Sequence, residues 1–139
     1  MNEKIAVLMS TYNGEEFLRD QIESILNQEK VNVTLYVRDD GSSDRTVEIL
    51  SSYEEQGKLK LICGKNCGVG NSFMHLLYTS DQDFDFYAFS DQDDIWLPDK
   101  LYSALKIIKN QKIPALYTGN QMLVNRKGEK LGLRYKEIP

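Results

Sequence analysis

Three carboxylates crowd into four consecutive positions of this sequence, at Asp91, Asp93 and Asp94. They follow directly on Phe84–Ser90, an apolar and aromatic segment that is typical of a buried strand. Carboxylates gathered at the end of a buried strand repel one another and lose hydration, so their charged forms are costly. A divalent cation bound by oxygen ligands relieves this repulsion. The spacing therefore favours a metal site among these carboxylates.

The acidic cluster has three other interpretations. A solvated turn, with Asp94 capping the next helix, stays open. An EF-hand loop beginning at Asp81 is excluded, because its sixth position is Phe86 instead of Gly and its twelfth is Gln92 instead of Glu. A phosphatase of the haloacid dehalogenase kind uses the nucleophilic Asp of a D-x-D motif. That motif normally follows the first strand, however, and here the motif follows the fourth.

A second polar group, Asp39-Asp40-Gly41-Ser42-Ser43-Asp44, follows another predicted strand. Asp40 is either a plain turn residue, as Asp-Gly often is, or a receptor for ring N–H and hydroxyl groups of a ligand. Tyr12, at the end of the first strand, either packs in the core or stacks on a flat base. Gly68 and Gly70 allow a phosphate to approach the backbone closely, although the sequence has neither of the usual glycine-rich phosphate motifs.

The elements that must position these residues alternate in the order β-α-β-α-β-α-β-α-β. Such alternation predicts an α/β domain of three layers, α-β-α, with a mostly parallel sheet. Ligands of these sheets bind outside the carboxyl ends of the strands, where the three polar loops converge. The predicted strands are Lys4–Ser10, Val31–Arg38, Lys58–Cys63, Phe84–Ser90, one within Ile113–Val124, and Leu131–Tyr135 after a turn at Asn125–Gly128. The predicted helices are Glu15–Gln28, Arg45–Glu54, Asn71–Thr79 and Asp99–Lys109, the last with Pro98 at its first position.

Length and composition are those of an ordinary single domain over residues 1–139, with 41% hydrophobic and 27% charged residues. A formal net charge of -4 gives no reason to expect a nucleic-acid partner. Cys63 and Cys67 lack the second ligand pair of a zinc site, so we expect free thiols in a reducing compartment. The sequence has no signal peptide and no apolar run of about 18 residues, which favours a cytoplasmic location.

Taken together, these motifs resemble glycosyltransferase family 2, which has the GT-A fold. The resemblance runs in the right order and spacing from Lys4 to Leu101, and Asp-Gln-Asp-Asp-Ile-Trp is particularly similar to bacterial enzymes of cell-surface polysaccharide assembly, including rhamnosyltransferase-like members. One departure is Ser10, where many relatives carry Pro. The matching segments are Ser10-Thr11-Tyr12-Asn13-Gly14-Glu15, Leu18, Ser24-Ile25-Leu26-x-Gln28, Asp39-Asp40-Gly41-Ser42-Ser43-Asp44-x-Thr46, Asn66-x-Gly68-x-x-Asn71 and Asp91-Gln92-Asp93-Asp94 with Trp96-x-Pro98-x-Lys100-Leu101.

The resemblance implies an inverting transfer of a sugar from a nucleoside-diphosphate donor, a UDP- or dTDP-sugar, to a glycan or lipid-linked acceptor. It implies that Ser10, Thr11, Tyr12 and Asp40 bind the base. Asp91 would then face the ribose or the metal shell, and Asp93 would hold Mn2+ or Mg2+ against the diphosphate. The remaining residues expected to bind the donor are Asn13, Asn71 and Gln92.

The family also uses a carboxylate as general base, in its acceptor-side half. We expect that base to lie beyond Pro139, so the chain would be the donor-binding part of a longer enzyme, inactive or weakly active alone. A homo-oligomer could cover apolar surface that the rest of the longer enzyme would otherwise cover. A lipid-linked acceptor would place the protein at the inner face of the membrane. Two alternatives remain: a nucleotidyltransferase of related fold, although Ser10–Glu16 lacks its Gly-rich basic loop, and a non-catalytic nucleotide-binding or interaction domain.

Overall fold

A computed structural model of the protein describes residues 2–119, 122–124 and 130–133. It divides after Tyr102 into two compact units, 1–102 and 103–139. This division does not decide whether the two units fold as one domain, so the expectation of a single domain over 1–139 stays a prediction. The strands are β1 Lys4–Thr11, β2 Asn32–Asp39, β3 Lys60–Cys63, β4 Phe86–Ser90, β5 Met122–Val124 and β6 Lys130–Leu133, and the helices are α1 Leu18–Leu26, α2 Thr46–Glu55, α3 Val69–Thr79 and α4 Lys100–Ile108.

The first unit is built on a four-stranded sheet with the order β3-β2-β1-β4, in which every neighbouring pair is parallel. The central strand β1 is buried along its whole length after Lys4, and the side chains from Ala6 to Met9 have no exposed surface. A continuous apolar run suits this position, because layers on both faces of the strand exclude water from every side chain. The predicted parallel sheet and the covered central strand are confirmed.

The direction of the connections reverses within this sheet. The chain steps from β1 to β2 to β3 on one side, then crosses back to place β4 on the other side of β1. Right-handed crossovers therefore put α1 and α2 on one face and α3 on the opposite face. On the α3 face, Leu76 packs with Ala6, Leu8 and Tyr36. The sheet thus has the predicted layers, with a topological switch point between β1 and β4.

Strand β4 is more exposed than predicted. It lies at one edge of the described sheet and has β1 as its neighbour, and 52% of the Phe89 surface is exposed. Phe89 makes an edge-to-face contact with Phe73 of α3 at 5.4 Å between ring centroids. The expectation of a buried strand was wrong for these exposed positions, because apolar composition predicts a strand without fixing whether it is central or at an edge.

Two predicted helix starts are also corrected. Helix α1 begins at Leu18, after a turn in which the Leu18 N–H donates to the Gly14 carbonyl at 3.1 Å, so Glu15 precedes the first helical turn. Helix α4 begins at Lys100, so Pro98 lies before the helix, where its carbonyl accepts the Glu29 N–H at 2.9 Å. Periodicity places helices well, but loop contacts set their ends.

The second unit contains β5 and β6, which pair antiparallel. Both fall at the predicted strand positions, whereas the predicted turn at Asn125–Gly128 lies outside the described residues. Within the described part of the chain, no helix combines the length and the apolar character needed to cross a membrane.

Candidate functional site

A cleft of about 480 Å3 lies at the carboxyl ends of β1, β2 and β4, at the switch point of the sheet. The loops after these three strands form its walls together with the start of α3, so the predicted convergence of the polar loops is confirmed. Of the residues predicted for the site, the cleft collects all except Asn13 and Asn71. The lining residues are Ser10, Thr11, Tyr12, Asp40, Asn66, Gly68, Val69, Asp91, Gln92 and Asp93.

Gln92 joins two of these loops. Its Oε1 accepts the Tyr12 N–H at 2.8 Å, and its Nε2 donates to the Tyr12 carbonyl at 2.9 Å. The Gln92 carboxamide also covers Gly14, where a Cβ would collide with it. These contacts fix the backbone of Tyr12 and leave 49% of the residue exposed. Tyr12 is thus not a core residue, and its ring is accessible from the cleft.

Asp39 holds the turn that follows β2. Thr11 Oγ1 donates to Asp39 Oδ1 at 2.8 Å, and the Ser42 N–H donates to Asp39 Oδ2 at 2.8 Å. Asn13, in the left-handed region at φ 47°, accepts the Ser43 N–H through Oδ1 at 2.8 Å. The Asn13 side chain therefore ties the loop after β1 to the loop after β2 and does not line the cleft.

Asp40 is buried in an ion pair at the floor of the cleft, with 3% of its surface exposed. Its Oδ1 accepts from Arg38 Nη1 at 2.7 Å and from the Cys67 N–H at 2.9 Å, and its Oδ2 accepts the Gly68 N–H at 3.1 Å. Burial alone raises the pKa of Asp40, but the hydrogen bonds from Arg38, Cys67 and Gly68 outweigh it and hold the pKa below its ordinary value. Asp40 is therefore ionised at neutral pH, and it does more than form a turn.

Arg38 and Ser72 were not predicted from the sequence. Arg38 Nη1 also donates to Ser72 Oγ at 3.1 Å, and Nη2 donates to the Lys65 carbonyl at 3.1 Å. Ser72 Oγ accepts in turn from Ser10 Oγ at 2.7 Å. Ser72 lies within a predicted apolar helix, which gives no indication of a role at the site. Arg38 did carry a signal, because it is a single cation beside two carboxylates at the end of a predicted buried strand.

The loop before α3 approaches the cleft through its backbone. Gly68 has φ 89°, a conformation that favours glycine, and it caps a helix whose first residue, Val69, also lines the cleft. The amino end of α3 therefore directs its positive dipole end toward the cleft. Asn71 supports this turn, since its Nδ2 donates to the Cys67 carbonyl at 2.9 Å, and it does not line the cleft.

Asp91 and Asp93 are exposed at the wall formed by the loop after β4. Neither carboxylate forms a hydrogen bond or ion pair with another described residue. Among residues 2–119, 122–124 and 130–133, no group of three or more His, Cys, Asp or Glu side chains could hold a metal alone. Two free carboxylates do suit a cation that takes its other ligands from phosphate and water.

Polar side chains in α1 and just after it fasten the chain on both sides of the acidic cluster. They bind Ser90 at the end of β4 and the segment around Trp96, which is buried. The position of Asp91 and Asp93 is thus set by a helix packed on the sheet. The contacts are Gln21 Nε2 to Ser90 Oγ at 2.6 Å, the Trp96 N–H to Ser24 Oγ at 3.1 Å, Gln28 Nε2 to the Leu97 carbonyl at 2.7 Å, and the Leu101 N–H to Gln28 Oε1 at 3.0 Å.

The family model for Glycosyl transferase family 2 matches residues 6–136, a range that includes every loop of the cleft. The chain belongs to glycosyltransferase family 2. It is 36% identical over 102 residues to the dTDP-rhamnosyl transferase RfbG of Shigella flexneri, covering 70% of this chain and 35% of that protein. It is 31% identical over 123 residues to the Escherichia coli UDP-Glc:alpha-D-GlcNAc-diphosphoundecaprenol beta-1,3-glucosyltransferase WfgD, covering 87% of this chain and 47% of that protein.

Among solved structures, this family 2 chain is similar to the mannosyltransferase PcManGT from Pyrobaculum calidifontis in complex with GDP-Man and Mn2+. The TM-score is 0.69 at 19% identity, covering 81% of this chain and 34% of that one. The predicted GT-A fold is confirmed. The chain spans about a third to a half of the length of these relatives.

Proposed function

We propose that this chain is the donor-binding part of an inverting glycosyltransferase. The cleft would hold a nucleoside-diphosphate sugar and a divalent cation for transfer to a glycan or lipid-linked acceptor. The observation that carries the proposal is the placement of ionised Asp40 after β2 and of Asp91 and Asp93 after β4, with the end of β1 between them. Two strand spacings, about 10 Å, separate β2 from β4, which suits a ligand with its base at one end and its phosphates at the other.

The base would bind at the Asp40 end of the cleft. An ionised carboxylate only accepts hydrogen bonds, so it favours a base whose ring nitrogen carries an N–H over a base whose ring nitrogen is itself an acceptor. Uracil, thymine and guanine have one, whereas adenine and cytosine do not. The ring of Tyr12 offers a face on which the base could stack. The donors in the names of RfbG, WfgD and PcManGT carry these three bases, and a UDP- or dTDP-sugar is our proposal for this chain.

The diphosphate would bind near Asp93 and Asp91. These carboxylates would hold Mn2+ or Mg2+, together with phosphate oxygens and water. The cation, when bound, neutralises the negative charge that grows on the leaving nucleoside diphosphate. The amino end of α3 favours the same charge through the N–H groups of its first turn. Gln92 would act indirectly, by fixing the Tyr12 backbone between the two ends.

The general base that deprotonates the acceptor hydroxyl would lie outside this cleft. Each carboxylate that lines the cleft is assigned, Asp40 to the nucleotide base and Asp91 and Asp93 to the metal. None is then left to take the proton of the acceptor hydroxyl. The lipid-linked acceptor in the name of WfgD supports an acceptor of that class. With such an acceptor, we propose that the reaction takes place at the inner face of the membrane.

A thermal-shift panel tests the proposal. UDP, dTDP and GDP with Mn2+ should raise the melting temperature, whereas ADP and CDP should do so much less. Asp93→Asn should lose most of the Mn2+-dependent part of the shift. Asp20→Asn, which removes an exposed carboxylate in α1, is the matched control and should keep it. A full Mn2+-dependent shift in Asp93→Asn would disprove the metal assignment, and equal shifts with all five nucleotides would disprove the assignment of Asp40.

A further inference from the structure

Arg38 is buried beneath the cleft and contacts three separate segments of its wall. Only 5% of its surface is exposed, and it does not line the cleft itself. Its guanidinium donates to Asp40 after β2, to the Lys65 carbonyl in the loop before α3, and to Ser72 in α3. It also fills the space over Gly64, where a Cβ would collide with it. Arg38 therefore links all three segments through one side chain.

We propose that Arg38 is a positioning residue for the donor nucleotide, which it never touches: it orients the Asp40 carboxylate and holds the loop 64–68 against it. This inference rests on the proposed function. Arg38 Nη1 and the Cys67 N–H both bind Oδ1 of Asp40, whereas Oδ2 accepts the Gly68 N–H alone. A carboxylate oxygen accepts about two hydrogen bonds, so Oδ2 keeps one acceptor site for a ring N–H in the cleft.

The hydrogen bonds of Arg38 require the planar, forked guanidinium group of arginine. Nη1 is shared between Asp40 and Ser72, while Nη2 reaches the Lys65 carbonyl on another segment. The single nitrogen of a lysine ammonium cannot occupy both positions. Arg38→Lys would therefore keep the positive charge and release the loop, so Asp40 would lose the N–H groups that fix its orientation.

The charge of Arg38 has a separate effect. In the segments around Asp40, the residues with ionisable side chains are Arg38 and Asp39 on β2, Lys65 and Cys67 in the loop, and Asp91 and Asp93 across the cleft, while Ser72 on α3 is neutral. Arg38 is the cation bonded to Asp40, at 2.7 Å. Arg38→Gln removes the strongest of the hydrogen bonds that lower the pKa of Asp40, so that pKa rises. Protonated Asp40 presents fewer acceptor sites, so nucleotide affinity would fall as the pH is lowered.

Isothermal titration with UDP and Mn2+ separates geometry from charge. At pH 7.5, Arg38→Lys should raise the Kd about tenfold, the loss expected when charge-assisted hydrogen bonds are broken. Its Kd should change with pH as little as that of the wild type between about pH 5 and 8, where an Asp of lowered pKa stays ionised. In Arg38→Gln, the affinity should fall more than that of the wild type as the pH is lowered from 8 toward 5. Ser72→Ala, which keeps the ion pair, should raise the Kd about threefold and serves if the Arg38 variants do not fold.

Two controls separate positioning from stability. Val37→Ala creates a cavity at the residue of β2 that precedes Arg38 and is buried. Arg45→Lys makes the same arginine-to-lysine exchange at an exposed position. Both should bind UDP as the wild type does. Hydrogen exchange of the Cys67 and Gly68 amides should accelerate in Arg38→Lys and not in Val37→Ala.

Each result decides a separate point. Wild-type affinity in Arg38→Lys would overturn the inference and leave the proposed function intact. Equal weakening in Val37→Ala would also overturn it, since lost stability would then explain the effect. A wild-type chain that binds none of UDP, dTDP and GDP would overturn the proposed function, and the inference with it.

Discussion

The carboxamide of Gln92 is hydrogen-bonded to both the N–H and the carbonyl of Tyr12, 80 residues earlier in the chain. This pair copies the exchange of two hydrogen bonds between neighbouring strands, but a side chain takes the place of one backbone. It extends the link between β1 and β4 beyond the last paired residues, Met9 and Ser90. The loop that carries the acidic cluster is thereby held against the loop that carries the exposed Tyr12 ring.

Replacing Gln92 by Glu should loosen this pair. The new carboxylate accepts the Tyr12 N–H but has no donor for the Tyr12 carbonyl, which it repels. We expect UDP affinity to fall by about 1–2 kcal/mol, as for a lost hydrogen bond with an unpaired partner. Titration calorimetry measures the change. Gln82→Glu adds the same charge at an exposed position that does not line the cleft and should leave affinity unchanged; equal losses in both would point to net charge instead.

A methyl group at Gly14 should displace the Gln92 side chain. The added Cβ would overlap the carboxamide, which its bonds to Tyr12 prevent from moving freely. Gly14→Ala should therefore lower the free energy of unfolding by about 1–3 kcal/mol, the usual cost of overpacking. Gly70→Ala is the control, because a Cβ there meets nothing within 4 Å. It should be neutral or stabilise α3 by up to about 1 kcal/mol. Urea denaturation compares them, and a stable Gly14→Ala would show that Gln92 has another rotamer available.

The ion pair of Asp40 predicts a pH dependence of stability. Because the pKa of Asp40 is lowered by its hydrogen bonds in the folded state, ionised Asp40 stabilises the fold above the ordinary pKa of Asp. This stabilisation should be lost as the pH falls below about 4 and through the folded-state pKa. The difference in unfolding free energy between wild type and Asp40→Asn should be constant from pH 5 to 7 and shrink toward pH 3. A difference that does not change would show that Asp40 titrates normally.

Gln28 should matter for stability more than an exposed glutamine does. It is buried, and its carboxamide bonds the Leu97 carbonyl and the Leu101 N–H, which lie beyond the acidic cluster. Gln28→Ala leaves these groups without their partner and should cost about 1–3 kcal/mol of unfolding free energy. Gln56, which is exposed and bonds the Ser52 carbonyl, is the control, and its replacement by Ala should cost under about 0.5 kcal/mol. Equal values in chemical denaturation would exclude a special role for Gln28.

Much of the site could be predicted because few interactions determine it. The apolar run of β1 fixes a central strand, and parallel strands bring their carboxyl ends to one edge. The positions of Tyr12, Asp40 and Asp93 at one cleft follow from these two facts. Asn13 and Asn71 were expected there by family resemblance, but their side chains bond neighbouring backbone groups and stabilise the loops.

The sequence by itself determined the order of the elements, the parallel sheet and the edge at which the polar loops meet. These follow from hydrophobic periodicity and chain connectivity, which are local or topological properties. The tertiary structure decided that β4 lies at an edge of the described sheet, that Gln92 binds the Tyr12 backbone and that Arg38 is buried against Asp40. Such contacts depend on how side chains from distant segments fill the same space, and one residue type is compatible with several partners until packing selects among them.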